Sequence, residues 1–250
     1  MENKISCREG VYGGWKQSAE YLPKAGVKYI ELEVAALQKL QEAADGCRAK
    51  GVTPLTISGG VDCMKTESID AVKAACDAAE AIGVNFYFLS AHGSDRAASM
   101  RALAGLGDYA AARKVTLCLE THPPFCLNGA EMVKTMTEVG HDNVRVNFDT
   151  ANIMYYNRGC DSVEELRKAV DYVASVHLKD TDGQFESFNF PVFGTGVIDF
   201  AGVFKILGSA GFSGPLTMEL EGALVDGLPP EERHEKVVAC MNFLKGIGAV

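Results

Sequence analysis

The chain predicts an α/β fold, an eight-stranded parallel (β/α)₈ TIM barrel surrounded by helices, on three observations. Strand-like apolar runs alternate with helix-like segments eight times, the pattern of a parallel sheet covered by crossover helices. The 250 residues match the usual length of that barrel, and 47% hydrophobic residues supply a sizeable core. Four residues of cation-binding type, Glu120, Asp149, His177 and Glu219, each close a β-like run, and strand ends in a βα repeat converge on one rim. Residues 1–250 are therefore expected to form a single barrel domain.

The elements follow in order. Strand one is expected at 4–7 and its helix at 15–24; Gly26 then closes the unit before strand two at 27–32. The second helix takes 37–50, stopped by Gly51. Strand three is placed at 53–57, with Ser58-Gly59-Gly60 as a turn towards an Ala-rich helix at 68–82. Strand four covers 84–90, beside His92, and its helix 94–114. Strands five to eight lie in the runs 116–120, 144–149, 173–180 and 214–222, with helices near 130–139, 162–170, 199–210 and 231–247. Asp199 reads as a helix N-cap and Gly211 as a stop. A doubly wound open sheet is the rival, but Gly13-Gly14 is not the GxGxxG fingerprint such a sheet carries after strand one.

The spacing supports a shared rim. From 120 to 149 the step is 29 residues, and to 177 it is 28, close to the roughly 30 of one βα unit. The step to 219 is 42, and the polar, aromatic, glycine-bearing stretch 181–195 supplies the extra length as a loop. Three carboxylates and one imidazole make a mixed hard and borderline donor set. It suits one divalent metal ion, Mn²⁺ foremost, with Mg²⁺, Co²⁺ or Zn²⁺ as alternatives, and leaves positions open for water or substrate.

A balance of 24 basic against 33 acidic residues gives a net charge of −9, which argues against a nucleic-acid partner because a phosphate-backbone footprint needs clustered Lys and Arg. Eight cysteines without a CxxC pair suit a reducing compartment. The start lacks a signal-peptide core, and no apolar run of about 18 residues appears. A cytoplasmic location without membrane attachment is expected.

The segments LETHPPF, VNFDTAN, VHLKD, FGTGVIDF and GFSGPLTMELEG resemble the xylose isomerase-like TIM-barrel family of sugar and sugar-phosphate isomerases and epimerases. The resemblance implies that Glu120, Asp149, His177 and Glu219 hold one divalent cation. It also implies that Glu120 and Glu219 exchange protons with a small-molecule carbohydrate, and that the protein forms homodimers or homotetramers. A cation that polarises a carbonyl and its neighbouring hydroxyl lowers the cost of the enediolate left when the α-proton departs. Carboxylates on either face can then remove and return that proton.

His122, two residues after Glu120, and Lys179, two after His177, are candidate substrate contacts, since alternate residues of an extended chain share a side. His92, Asn152 and Glu31 join them; Glu221 reads as a rim charge. Two positions depart from the ketose 3-epimerase pattern: Asn152 stands where a His is usual and Gly183 where an Arg is usual. The Gly194-Thr195-Gly196 stretch reads as a flexible turn before the Asp199 cap. Alternatives are a metal-dependent dehydratase or lyase of an inosose-like polyol, and a non-catalytic sugar-binding or accessory barrel. Five histidines cannot fill the trinuclear site of an apurinic-site endonuclease.

Overall fold

The computed structural model describes residues 3–34 and 37–250. Eight parallel strands close into a barrel in sequence order: β1 Lys4–Arg8, β2 Tyr29–Glu33, β3 Thr53–Asp62, β4 Phe86–His92, β5 Thr116–Glu120, β6 Val144–Asp149, β7 Val173–Leu178 and β8 Pro215–Met218. The seam is sealed by β8 against β1, with Lys4 opposite Pro215 and Cys7 opposite Met218. Alternation along each strand sorts the side chains. Leu117, Leu119, Val146, Phe148, Val176 and Leu178 are fully buried beneath the helices, while the alternate positions Cys118, Asn147, Asp149, Ser175 and His177 face the barrel interior.

The helices are α1 Trp15–Tyr21, α2 Leu37–Ala49, α3 Thr66–Ala81, α4 Arg96–Ala111, α5 Gly129–Val139, α6 Asn152–Tyr156, α7 Ser162–Ala169, α8 Phe200–Ser209 and α9 Pro230–Gly246. Asp199 caps α8 as expected, its Oδ1 accepting from Gly202 N at 2.9 Å. Asp95, Asn128 and Asp161 cap α4, α5 and α7 in the same way.

Four expectations are corrected. The first helix ends at Tyr21 and tightens into a 3-10 turn over Leu22–Ala25, because Pro23 has no N–H to continue the α ladder. Strand three continues to Asp62 instead of turning at Ser58-Gly59-Gly60: β4 pairs with it from Thr56 opposite Phe86 to Asp62 opposite His92. A Cβ on Gly59 would lie 2.6 Å from the Tyr87 hydroxyl, so the glycine serves close packing there and not a bend. The short helix α6 was missed; it starts where the Asp149 carboxylate accepts from Ala151 N and Asn152 N, both at 2.9 Å.

The loop between β7 and α8 is pinned, not a flexible turn. The buried Asp180 carboxylate accepts backbone N–H bonds from Thr181, Gly194, Gly196 and Ile198 at 2.8–3.1 Å. Gly194 adopts φ +81° there, which glycine alone takes freely. All eight cysteines are free; seven are buried and Cys160 is half-buried. Among the described residues no helix is long and apolar enough to cross a membrane.

Candidate metal and carbohydrate site

Register explains why the rim residues meet. Glu120 lies opposite Asn147 and Asp149 opposite His177. His177 lies opposite Thr217, two residues before Glu219. Steps of two keep the side chains on one face of the sheet and offset the tilt of strands in a barrel. One ligand atom each from Asp149, His177 and Glu219 lies within 4.8 Å of the others, all three residues buried. Glu120 stands outside that triple. Its Oε2 accepts the Ser90 hydroxyl and its Oε1 faces Asn152 Nδ2 at 3.4 Å.

Around the triple, opposite charges interlock. The His177 ring lies between two carboxylates, Nδ1 at 3.2 Å from Glu219 Oε2 and Nε2 at 3.2 Å from Glu31 Oε2, and stacks on Phe88 with centroids 4.3 Å apart. Arg8, at the end of β1, pairs with Glu219, with Glu31 at 3.3 Å and with Glu33 at 3.7 Å. Lys179 Nζ lies 2.7 Å from Glu219 Oε2, 3.1 Å from Asp149 Oδ2, 2.7 Å from Glu221 Oε1 and 3.3 Å from Asn152 Oδ1.

These partners set the protonation states. Burial alone would strip the proton from His177, but Glu31 and Glu219 outweigh it and push its pKa up to about 10. Burial would likewise raise Glu219, yet Lys179, His177 and Arg8 hold its carboxyl well below the usual range. For Asp149 burial wins over Lys179 and the pKa rises to about 7. Glu120 is raised by burial and by the nearby charge of Glu219. The cage thus draws positive charge onto every group that can carry it.

The donors fit a divalent cation. Asp149 Oδ2 is buried yet accepts no hydrogen bond; its contact with Lys179 is an ion pair outside hydrogen-bond geometry. Six carboxylates, Glu31, Glu33, Glu120, Asp149, Glu219 and Glu221, surround two permanent cations, Arg8 and Lys179. A dication would offset part of the negative charge that remains when His177 is neutral and free to coordinate.

The other expected residues are distributed as follows. Glu31 is buried behind His177, taking the Thr56 hydroxyl at 2.8 Å. His92 and His122 meet edge-on at 5.1 Å, and His122 meets Tyr156 at 5.0 Å, forming an aromatic row on the rim. Asn152 bridges Glu120 to Lys179. Beside them opens a cavity of about 480 Å³ lined by Arg8, Glu33, Gly59, Gly60, Phe88 and Glu120. The sequence reading missed Arg8, Ser90 and Phe88. Arg8 carries a signal, a polar residue closing a strand, that also marks ligand candidates such as Glu120 and Asp149.

Residues 19–245 match the family model described as a xylose isomerase-like TIM barrel. A putative L-ribulose-5-phosphate 3-epimerase of Escherichia coli is 29% identical over 146 residues, 55% of this chain and 49% of that protein. An inosose dehydratase of Erwinia tasmaniensis is 32% identical over 133 residues, 46% of this chain and 44% of that one. The chain thus spans about half the length of the curated relatives it matches. In three dimensions, a crystal structure of the IOLI protein with a zinc atom superposes with a TM-score of 0.81 at 20% identity, covering 98% of each chain, a likeness of fold.

Proposed function

Because the chain belongs to the xylose isomerase-like TIM-barrel family, we propose that it is a divalent-metal-dependent isomerase or epimerase of a sugar, sugar phosphate or cyclitol. In this reading it moves a proton on and off a carbon next to a carbonyl, as a single barrel domain over 1–250. The observation that carries the proposal is the buried triple of Asp149, His177 and Glu219, with an Asp149 oxygen that accepts no hydrogen bond. Glu120, at the end of β5 on the same rim, would be the fourth ligand.

A bound dication, with Mn²⁺ the first choice, supplies polarisation of a carbonyl and its neighbouring hydroxyl, which makes the α-proton easier to remove. Glu120 serves as one proton carrier. The Ser90 hydroxyl occupies its Oε2, while the 3.4 Å contact leaves Oε1 the less engaged atom and the one to exchange the proton. Glu219, held ionised by Arg8, His177 and Lys179, serves as the carboxylate on the opposite face. His92, His122, Lys179, Asn152 and Glu31 are the proposed polar contacts, direct or through these carboxylates, and the neighbouring cavity is of a size for a small polyol.

Removal of a proton next to a carbonyl followed by loss of a β-hydroxyl uses the same groups, so the identity with inosose dehydratase supports dehydration of an inosose-like polyol as the second reading. One experiment addresses both. The Mn²⁺-loaded protein is incubated in D₂O with ketoses, pentulose phosphates and inososes. Deuterium entering the carbon next to the carbonyl is expected for epimerisation, with loss of water for dehydration. Glu120→Gln and Glu219→Gln should each lose at least about a thousandfold in turnover while keeping the wild-type circular dichroism. Normal turnover in either variant refutes that residue's assignment, and no exchange on any compound refutes the reaction class.

A further inference from the structure

Resting on the metal site proposed above, we infer that Lys179 is a built-in counter-cation: its ammonium holds Asp149 and Glu219 together in the metal-free barrel and withdraws to Glu221 when a dication binds. Lys179 is 2% exposed. Its Nζ meets four side-chain oxygens, on Asp149, Asn152, Glu219 and Glu221, and lies 4.9 Å from the Phe190 ring centre. Two of these contacts are hydrogen bonds, to Asn152 Oδ1 and Glu221 Oε1, and those with Asp149 and Glu219 are ion pairs.

Its neighbours divide into two groups. Asp149 and Glu219 belong to the proposed metal triple. Glu221 does not, and its side chain is 34% exposed. Carboxylates packed at the distances of this triple repel one another unless a cation lies among them. The lysine supplies one charge permanently, on a flexible four-carbon stem. An incoming dication would need the same two carboxylates and would repel the ammonium. The 2.7 Å contact with Glu221 and the face of Phe190 give the displaced charge a place already built.

The inference predicts that Lys179 weakens metal binding while keeping the empty site folded. Calorimetric titration of the metal-stripped full chain with Mn²⁺ tests it, with melting temperature as a second readout. Lys179→Met should bind Mn²⁺ about tenfold tighter or more, because a like charge a few Å from the ion is removed. It should also show a larger rise in melting temperature on Mn²⁺ addition than wild type does. Lys179→Gln serves if the methionine variant does not fold without metal, with the same direction expected. Glu221→Gln should weaken binding several-fold in the wild type and clearly less in the Lys179→Met background, where only its direct attraction for the ion is lost. Equal or weaker Mn²⁺ affinity in both Lys179 variants overturns the inference while leaving the metal site standing. An equal Glu221→Gln effect in both backgrounds overturns the withdrawal to Glu221. Absence of Mn²⁺ binding in the wild type removes the metal site and this inference together.

Discussion

Asp180 shows how much one buried side chain organises. Its two oxygens accept four backbone N–H bonds, and the loop from β7 to α8 has its course fixed by them. Asp180→Asn keeps the shape but replaces an acceptor by a donor, leaving buried N–H groups facing an NH₂. A loss of about 2–4 kcal/mol is expected, read as a lower urea midpoint. Legibility at this scale was uneven. Glu120, Asp149, His177 and Glu219 stood out because each abruptly ends an apolar run. Three of them meet within 4.8 Å, whereas Glu120 is engaged by Ser90 and Asn152. Arg8 closes its strand in the same manner, but its meaning depends on Glu219, 211 residues away, and no local pattern encodes that partner.

Among the described residues, four helices begin with an Asp or Asn whose side chain accepts the N–H three residues on. Asp161→Ala and Asp199→Ala should each cost about 1 kcal/mol. The caps serve different helices without sharing a partner, so the double variant should cost the sum, with an unchanged denaturant slope. Substantial non-additivity would show that α7 and α8, which pack together, respond as a unit. Of the caps only Asp199 was read in advance, although Asp161 with Glu164 three residues later carries the same signal. The glycine pair in β3 misled because a local turn preference was set against a ladder of seven register pairs with β4, and tertiary pairing won. Pro23 acted the opposite way: a purely local rule, the missing donor, cut α1 short.

For the molecule as a whole the barrel was legible, since eight alternations at the right spacing admit few other closures. Its polar interior was not: Asn147 and Ser175, joined at 2.8 Å inside the cylinder, sit among runs that read as uniformly apolar. If the rim holds a dication, stripping it with a chelator removes about 3 kcal/mol for an ion present at a hundred times its dissociation constant. That corresponds to a fall of about 5–10 °C in melting temperature for a chain of this size, reversed by Mn²⁺. An unchanged melting curve would count against the site. The eight unpaired sulfurs provide a gauge that needs no engineering. A chromogenic thiol reagent should consume one equivalent promptly at Cys160 and the remaining seven only as the walls come apart. The slow phase of that colour change then clocks how often the cylinder breathes, and a ligand that staples the mouth shut would slow the clock.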